Sequence, residues 1–424
     1  MKALTKISIG FLTLAAVALW FTSCSSEDVA SGTNQGKESL LTLTINTGDV
    51  GSTRATAWDN DAPTQDKENT INTMTVGIFG PDNNVKTIVE LTADDQTVNG
   101  NKLTLDGKTA TIVTSSLTPN DKVLVAVNAK SGTFNGVQTV TKFKEQKGGL
   151  EFAVTSDGDK TKEINTNIPM YGEGSLQNVD GGTSKFQATI NVSHLLAKVT
   201  LDEVKVDFDK NGAYKDASFT PKDVFLVNVP TEFIFSGSKI DDISTATNND
   251  KAWVPTPKYI NGFDKNTTYL SLTNVTVPPT WGDYAAYLTT GLWDAGTLQN
   301  KEPENSKASK KAYFYITPNG SNVDATKTKL IISGTFKKNV DDEGTTVFYP
   351  LALNAASKSD GSYDAATNGG QEKFKVYPNK NYVCKVVIRN IGSLDPTKSL
   401  DPQIATITVT VQNFETATQT TEFN

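Results

Sequence analysis

Leu41-Thr42-Leu43-Thr44-Ile45 places every second side chain on one apolar edge and its threonines on the other, the period of a strand with one buried face. Similar short runs recur along the chain. Met74 to Phe79, Val123 to Val127, Val224 to Val227, Tyr313 to Ile316, Leu330 to Ser333, Tyr382 to Ile388 and Ile404 to Val411 are rich in β-branched, aliphatic and aromatic residues. Turn signals such as Pro81-Asp82-Asn83-Asn84, Asp157-Gly158-Asp159 and Asp360-Gly361 separate such runs. Apolar residues alternate rather than recurring at helical spacing, so the sequence predicts an all-β chain of sandwiches. Phe186 to Val206, around His194-Leu195-Leu196-Ala197-Lys198-Val199-Thr200-Leu201, reads as one or two long strands with a domain boundary beside it. The expected sandwiches cover 55–193 and 194–424, the second interrupted by irregular surface insertions at 248–257 and 292–311.

The N-terminus reads as a signal peptide over residues 1–23: Lys2 and Lys6 precede an apolar run from Ile7 to Trp20. That run is about 15 residues long, short of the ~20 needed to span a bilayer as a helix. A small residue, Ser23, followed by Cys24 has the form of a bacterial lipobox, in which the cysteine thiol is acylated and becomes the new N-terminus. Cys384 is the only other cysteine, so a lipid on Cys24 leaves no pair for an internal disulfide. Stability then has to come from apolar cores, for which 424 residues at 37% hydrophobic content suffice. A net charge of −7 without a basic cluster argues against nucleic acid as a partner.

Catalysis needs convergent titratable groups, and the sequence supplies few. His194 is the single histidine and lies in a strand, where a structural role is expected; with two cysteines it assembles no zinc set. No nucleophile motif accompanies it for a serine-hydrolase arrangement. Asp59-Asn60-Asp61 with Asp66, and Asp341-Asp342-Glu343, carry oxygen ligands but lack the spacing of a calcium loop and read as turns. Trp281, Tyr284, Tyr287 and Trp293 form an aromatic segment that offers a carbohydrate platform or a loop anchor. The expectation is a non-enzyme without cofactor or metal.

Arginine use is unusual, since only Arg54 and Arg389 occur among 40 basic residues. Arg54 lies in the small, polar segment Gly51-Ser52-Thr53-Arg54-Ala55-Thr56-Ala57, the kind of exposed stretch that proteases cut, whereas Arg389 follows a strand and should be protected. A cut between Arg54 and Ala55 would separate the strand of Leu41, Leu43 and Ile45 from the rest, leaving an apolar groove and unpaired backbone groups. A replacement exists at the C-terminus. Ile407, Val409 and Val411 alternate strictly, and the tail continues with Phe414, Ala417, Gln419, Thr421 and Phe423; residues 412–424 are the favoured donor, with 404–411 completing the subunit's own sheet. One subunit's end filling the next subunit's groove is a heterologous contact that builds filaments.

The chain resembles the fimbrillins, the type V pilus subunits of Bacteroidia. The resemblance rests on Cys24 followed by Ser25-Ser26-Glu27-Asp28, the strand at 41–45, Arg54-Ala55, Val123 to Ala129, and His194 to Leu201. It continues through Asn381-Tyr382, Val386-Val387-Ile388, the loop of Gly392, Pro396 and Pro402, and Ile407 to Val411 with Phe414, where family members commonly carry tryptophan. It implies two tandem transthyretin-like β-sandwich domains behind a signal peptide and a lipidated propeptide over 24–54, with acyl groups such as palmitate on Cys24. It further implies an outer-membrane precursor cut by an arginine-specific protease, and a homopolymer assembled by donor-strand exchange with accessory tip and anchor subunits. The uncapped tail favours a stalk role over a tip. The competing readings are a monomeric surface lipoprotein that binds glycans and a tip or anchor pilus subunit.

Overall fold

The computed structural model describes residues 38–47, 65–149, 167–179, 181, 184–236, 259–260, 262, 289–290, 296–300, 307–308, 312–357, 363–365, 372–396, 400 and 404–413. The main strands are β1 (Glu38–Asn46), β2 (Thr73–Phe79), β3 (Val85–Thr92), β4 (Thr109–Ser115), β5 (Lys122–Val127), β6 (Met170–Ser175) and β7 (Lys185–Asn191). They are followed by β8 (Ala197–Val206), β9 (Ser218–Val227), β10 (Ala312–Ile316), β11 (Lys329–Lys337), β12 (Thr345–Ala352), β13 (Lys380–Ile388) and β14 (Ala405–Asn413). Two short helices, α1 (Gln65–Glu68) and α2 (Val140–Lys144), complete the main elements. The fold is all-β, as the alternation predicts.

Residues 38–194 build two facing sheets. In the first, β1 stands between β7 and β4, with Gln177–Asn178 and the Asn101–Leu103 and Thr97–Val98 strands beyond. The second runs from Ser193–His194 through β6, β5 and β2 to β3. The apolar faces enclose Leu41, Leu43, Ile45, Met74, Val76 and Val125 in one core. The outer face of the first sheet is wet, so β1 alternates strictly between buried and exposed positions. β5 does not alternate, because both its faces are covered. Val123, Val125 and Val127 enter the first core, while Leu124 and Ala126 face the other way into the core that continues through the second sandwich.

That second sandwich packs β8, flanked by β10 and β13, with β14 at the far edge, against a sheet of β9, β11 and β12. The junction between the sandwiches is dry and aromatic. Phe134 stacks on Phe143 at 4.1 Å, and Phe235 meets Phe134 at 5.2 Å and Phe233 at 5.3 Å. A two-stranded ribbon joins Lys147–Gly149 to Glu232–Ile234 beneath them. Gly148 is required there, since a Cβ would lie 2.3 Å from the Phe233 ring.

Phe186 to Val206 proves to be three strands rather than one or two, because the chain leaves the first sheet after Asn191, pairs briefly at Ser193–His194 in the second, and then enters β8. The span 292–311 is also less irregular than its composition suggests: Leu298–Gln299 pairs with β9 and Lys307–Ala308 with β8. Three asparagines, Asn128, Asn228 and Asn354, follow β5, β9 and β12 at positive φ. Each side chain staples a neighbouring loop; Asn128 accepts from the Asn72 amide at 2.8 Å and donates to the Thr70 and Ile168 carbonyls. Asparagine tolerates this backbone conformation and supplies the hydrogen bonds that a glycine could not.

Candidate functional site

The site is built around β1. Its register is parallel to β7 from Leu40 to Asn46 and antiparallel to β4 from Glu38 to Thr44, so both backbone edges are engaged along most of its length. Leu41 and Leu43 are completely buried and Ile45 is 3% exposed. Taking β1 away would open a slot between β4 and β7 with three apolar seats at two-residue spacing and unpaired backbone groups on both walls. Any extended segment with alternating apolar residues has the chemistry to refill it.

The two ends of β1 differ. At the start, Glu38 and Ser39 pair with β4 alone, and the outward-facing Leu40 is 39% exposed. At the finish, the Asn46 carbonyl accepts from the Val192 amide at 2.9 Å, and the Asn46 side chain donates to Asn191 at 3.0 Å. Ile45 and Asn46 pair with β7 alone, and it is these Asn46 bonds that clamp the finish.

Beyond the connection that contains Arg54, the chain is pinned again by Glu68 at the end of α1. The Glu68 carboxylate, 4% exposed, accepts from the Lys198 ammonium at 2.5 Å and from the Tyr315 hydroxyl, while its backbone carbonyl lies 3.0 Å from His194 Nε2. Lys198 also lies over the Tyr313 and Tyr315 rings. Burial and the nearby Glu68 charge push the Tyr315 hydroxyl far up, so it stays a protonated donor. The two anchor points are close in sequence, Asn191–Val192 for the strand and His194 for the helix.

His194 is structural, as its strand position suggests. Burial lowers its pKa from the usual 6.5 to about 4, outweighing the hydrogen bonds to the Glu68 carbonyl and Asn379, and the Lys198 charge acts in the same direction as burial. The sign follows directly. Between pH 6.5 and 4 the unfolded chain binds a proton that the folded chain refuses, so stability falls as pH falls through this window, by about 3 kcal/mol at its lower end. Urea unfolding at pH 7 and pH 4.5 checks this. The Glu68 carbonyl and the Lys198 charge also act on the ring, so the measure is the difference between wild type and His194→Gln. The variant is expected to lose most of the extra slope; equal slopes would remove His194 as the cause.

Leu41, Leu43 and Ile45 are thus brought together in one core. Cys24, Arg54 and Ala55, and Phe414, Ala417, Gln419, Thr421 and Phe423, lie outside the described residues, as do Trp281, Tyr284, Tyr287 and Trp293. Asp342 closes a turn, accepting from the Lys338 and Gly344 amides, which hold its carboxyl below the ordinary range. Among the described residues no cluster of metal-ligating side chains occurs. Cys384 is buried in the second core and its thiol is pushed up by burial, which makes it inert. Arg389 is tied to the sheet through its amide, which donates to Ile404 at 2.9 Å. The Glu68 cluster escapes sequence reading, because its partners are 130 and 247 residues away.

No protein-family model matches the chain, and a search of curated proteins finds no match. Solved structures do match. A candidate cell adhesion protein from Bacteroides eggerthii superimposes with a TM-score of 0.55 at 21% identity, covering 90% of this chain and 98% of that one. A second candidate cell adhesion protein, from Parabacteroides distasonis, gives a TM-score of 0.54 at 17% identity over 89% of this chain and 98% of its own. The fimbrilin FimA of Porphyromonas gingivalis gives a TM-score of 0.54 at 14% identity, again over 89% of this chain and 98% of its own. The all-β architecture described above is therefore a fimbrillin-like fold.

Proposed function

We propose that the chain is a stalk subunit of a fimbrium, exported as a lipoprotein on Cys24 and polymerised at the cell surface by strand exchange, with a role in adhesion. The observation that carries the reading is the position of β1, inserted between two strands, sealed at Leu41, Leu43 and Ile45, and lying just upstream of Arg54 in the sequence. An arginine-specific protease cuts between Arg54 and Ala55, which makes the strand exchangeable. The domains in this reading are 55–193 and 194–424.

The donor in this reading is the segment beyond β14. β14 is paired along its length with β13, so Gln412 and Asn413, expected in the donor, belong to the subunit's own sheet, and the donor in this reading is the tail of Phe414, Ala417, Gln419, Thr421 and Phe423. Tip and anchor subunits are the expected partners at the filament ends. The fimbrilin and cell adhesion descriptions of the structural neighbours agree with this role.

Two measurements test it. The N-terminal residue of protein extracted from the cell surface is expected to be Ala55, and a lipid-bearing Cys24 at the start of filament protein would overturn the processing step. Mature protein ending at Asn413 is expected to form no filaments under conditions where the complete chain does; equal filament yield would overturn the donor assignment.

A further inference from the structure

We infer that cutting at Arg54 does not empty the groove: the propeptide stays bound through β1 as a noncovalent inhibitor, and an incoming strand has to displace it. This rests on the reading of the chain as a cleaved, strand-exchanging subunit, and it concerns how that exchange is regulated. Before the cut, β1 cannot escape. Its clamped end is joined by the 47–64 connection to Glu68, which Lys198, Tyr315 and His194 hold against the start of β8. With the two anchors only a few residues apart along 191–194, the tether keeps β1 at a high effective concentration over its slot.

The cut removes the tether and nothing else. It falls on the side where Asn46 is held by the Val192 amide and the Asn191 side chain. All three apolar seats stay filled and both backbone walls stay paired. What changes is the molecularity. Rebinding becomes concentration-dependent, so the strand can now be diluted away or competed off, which it could not be while covalently attached. Displacement should begin at Glu38 and Ser39, which pair with β4 and precede the β7 register that starts at the partly exposed Leu40. Proteolysis thereby licenses exchange, and the arriving strand drives it.

The full chain, purified in detergent, is cut with an arginine-specific endoprotease, passed through gel filtration and weighed by mass spectrometry. The fragment ending in Arg54 is expected to co-elute one-to-one with the body beginning at Ala55, and an excess of labelled synthetic peptide spanning residues 37–47 is expected to replace it. Leu43→Ala, cut in the same way, is expected to hold its fragment about 100-fold less tightly. Loss of the wild-type fragment in the first passage, with the body's β-sheet circular dichroism intact, would overturn the inference. If the mass shows that Arg54 resists the protease, the processing reading fails instead; a sequence-specific protease site inserted after Arg54 then applies the same retention test.

Discussion

An aspartate at Leu43 is expected to lower the stability of the uncut chain by about 5 kcal/mol or more, because it removes a fully buried leucine and puts a carboxylate in its place. Leu43 lies between Ala188 of β7 and Ala110 of β4, so neither neighbouring strand offers it a cation at that level. Thr42→Asp is the control, since Thr42 points outward on the same strand and should change stability by less than about 1 kcal/mol. Urea unfolding of both uncut variants, followed by circular dichroism, decides it. Equal effects would mean that the inward face of β1 is not what holds it. Residue 43 lies upstream of Arg54, so a body that begins at Ala55 contains neither change.

The second large effect is expected at Glu68. Its carboxylate takes both the Lys198 ammonium and the Tyr315 hydroxyl, and alanine there leaves a largely buried ammonium beside apolar walls. Breaking such a pair from one side costs about 3–5 kcal/mol. Glu68→Gln retains an acceptor for Tyr315 but not the charge, and should fall between wild type and alanine. Adding Lys198→Met to Glu68→Gln is expected to recover part of the loss, since the largely buried charge is then gone. Urea unfolding across this double-mutant cycle is the measurement. A loss under about 1 kcal/mol for Glu68→Ala would show that α1 is held by packing alone.

Much of the architecture was legible because a wet sheet face imposes its period on the sequence. Leu41 to Ile45 and Tyr382 to Ile388 announce themselves by alternation, and turn residues mark their ends. The position of β1 was not legible: alternation says that one face is buried, not that the strand sits between two others and runs parallel to one of them. The two-residue strands at Leu298–Gln299 and Lys307–Ala308 carry no signal of their own, since β9 and β8 recruit them by backbone pairing. Glu68 sits in Gln65-Asp66-Lys67-Glu68, which composition marks as a solvated turn; its burial is created by Lys198 and Tyr315 arriving from the other sandwich.

The aromatic junction has a mechanical meaning. A stacked set of phenylalanines, a pairing ribbon with a glycine pressed under a ring, and one core running through both sandwiches leave no hinge between them. In a fibre assembled as proposed, each subunit would be a stiff link, and curvature would collect where one copy's strand enters the next. The persistence length of the fibre would be set by those joints, and a pull along its axis would be resisted in shear by the seated strand rather than by the body of the subunit.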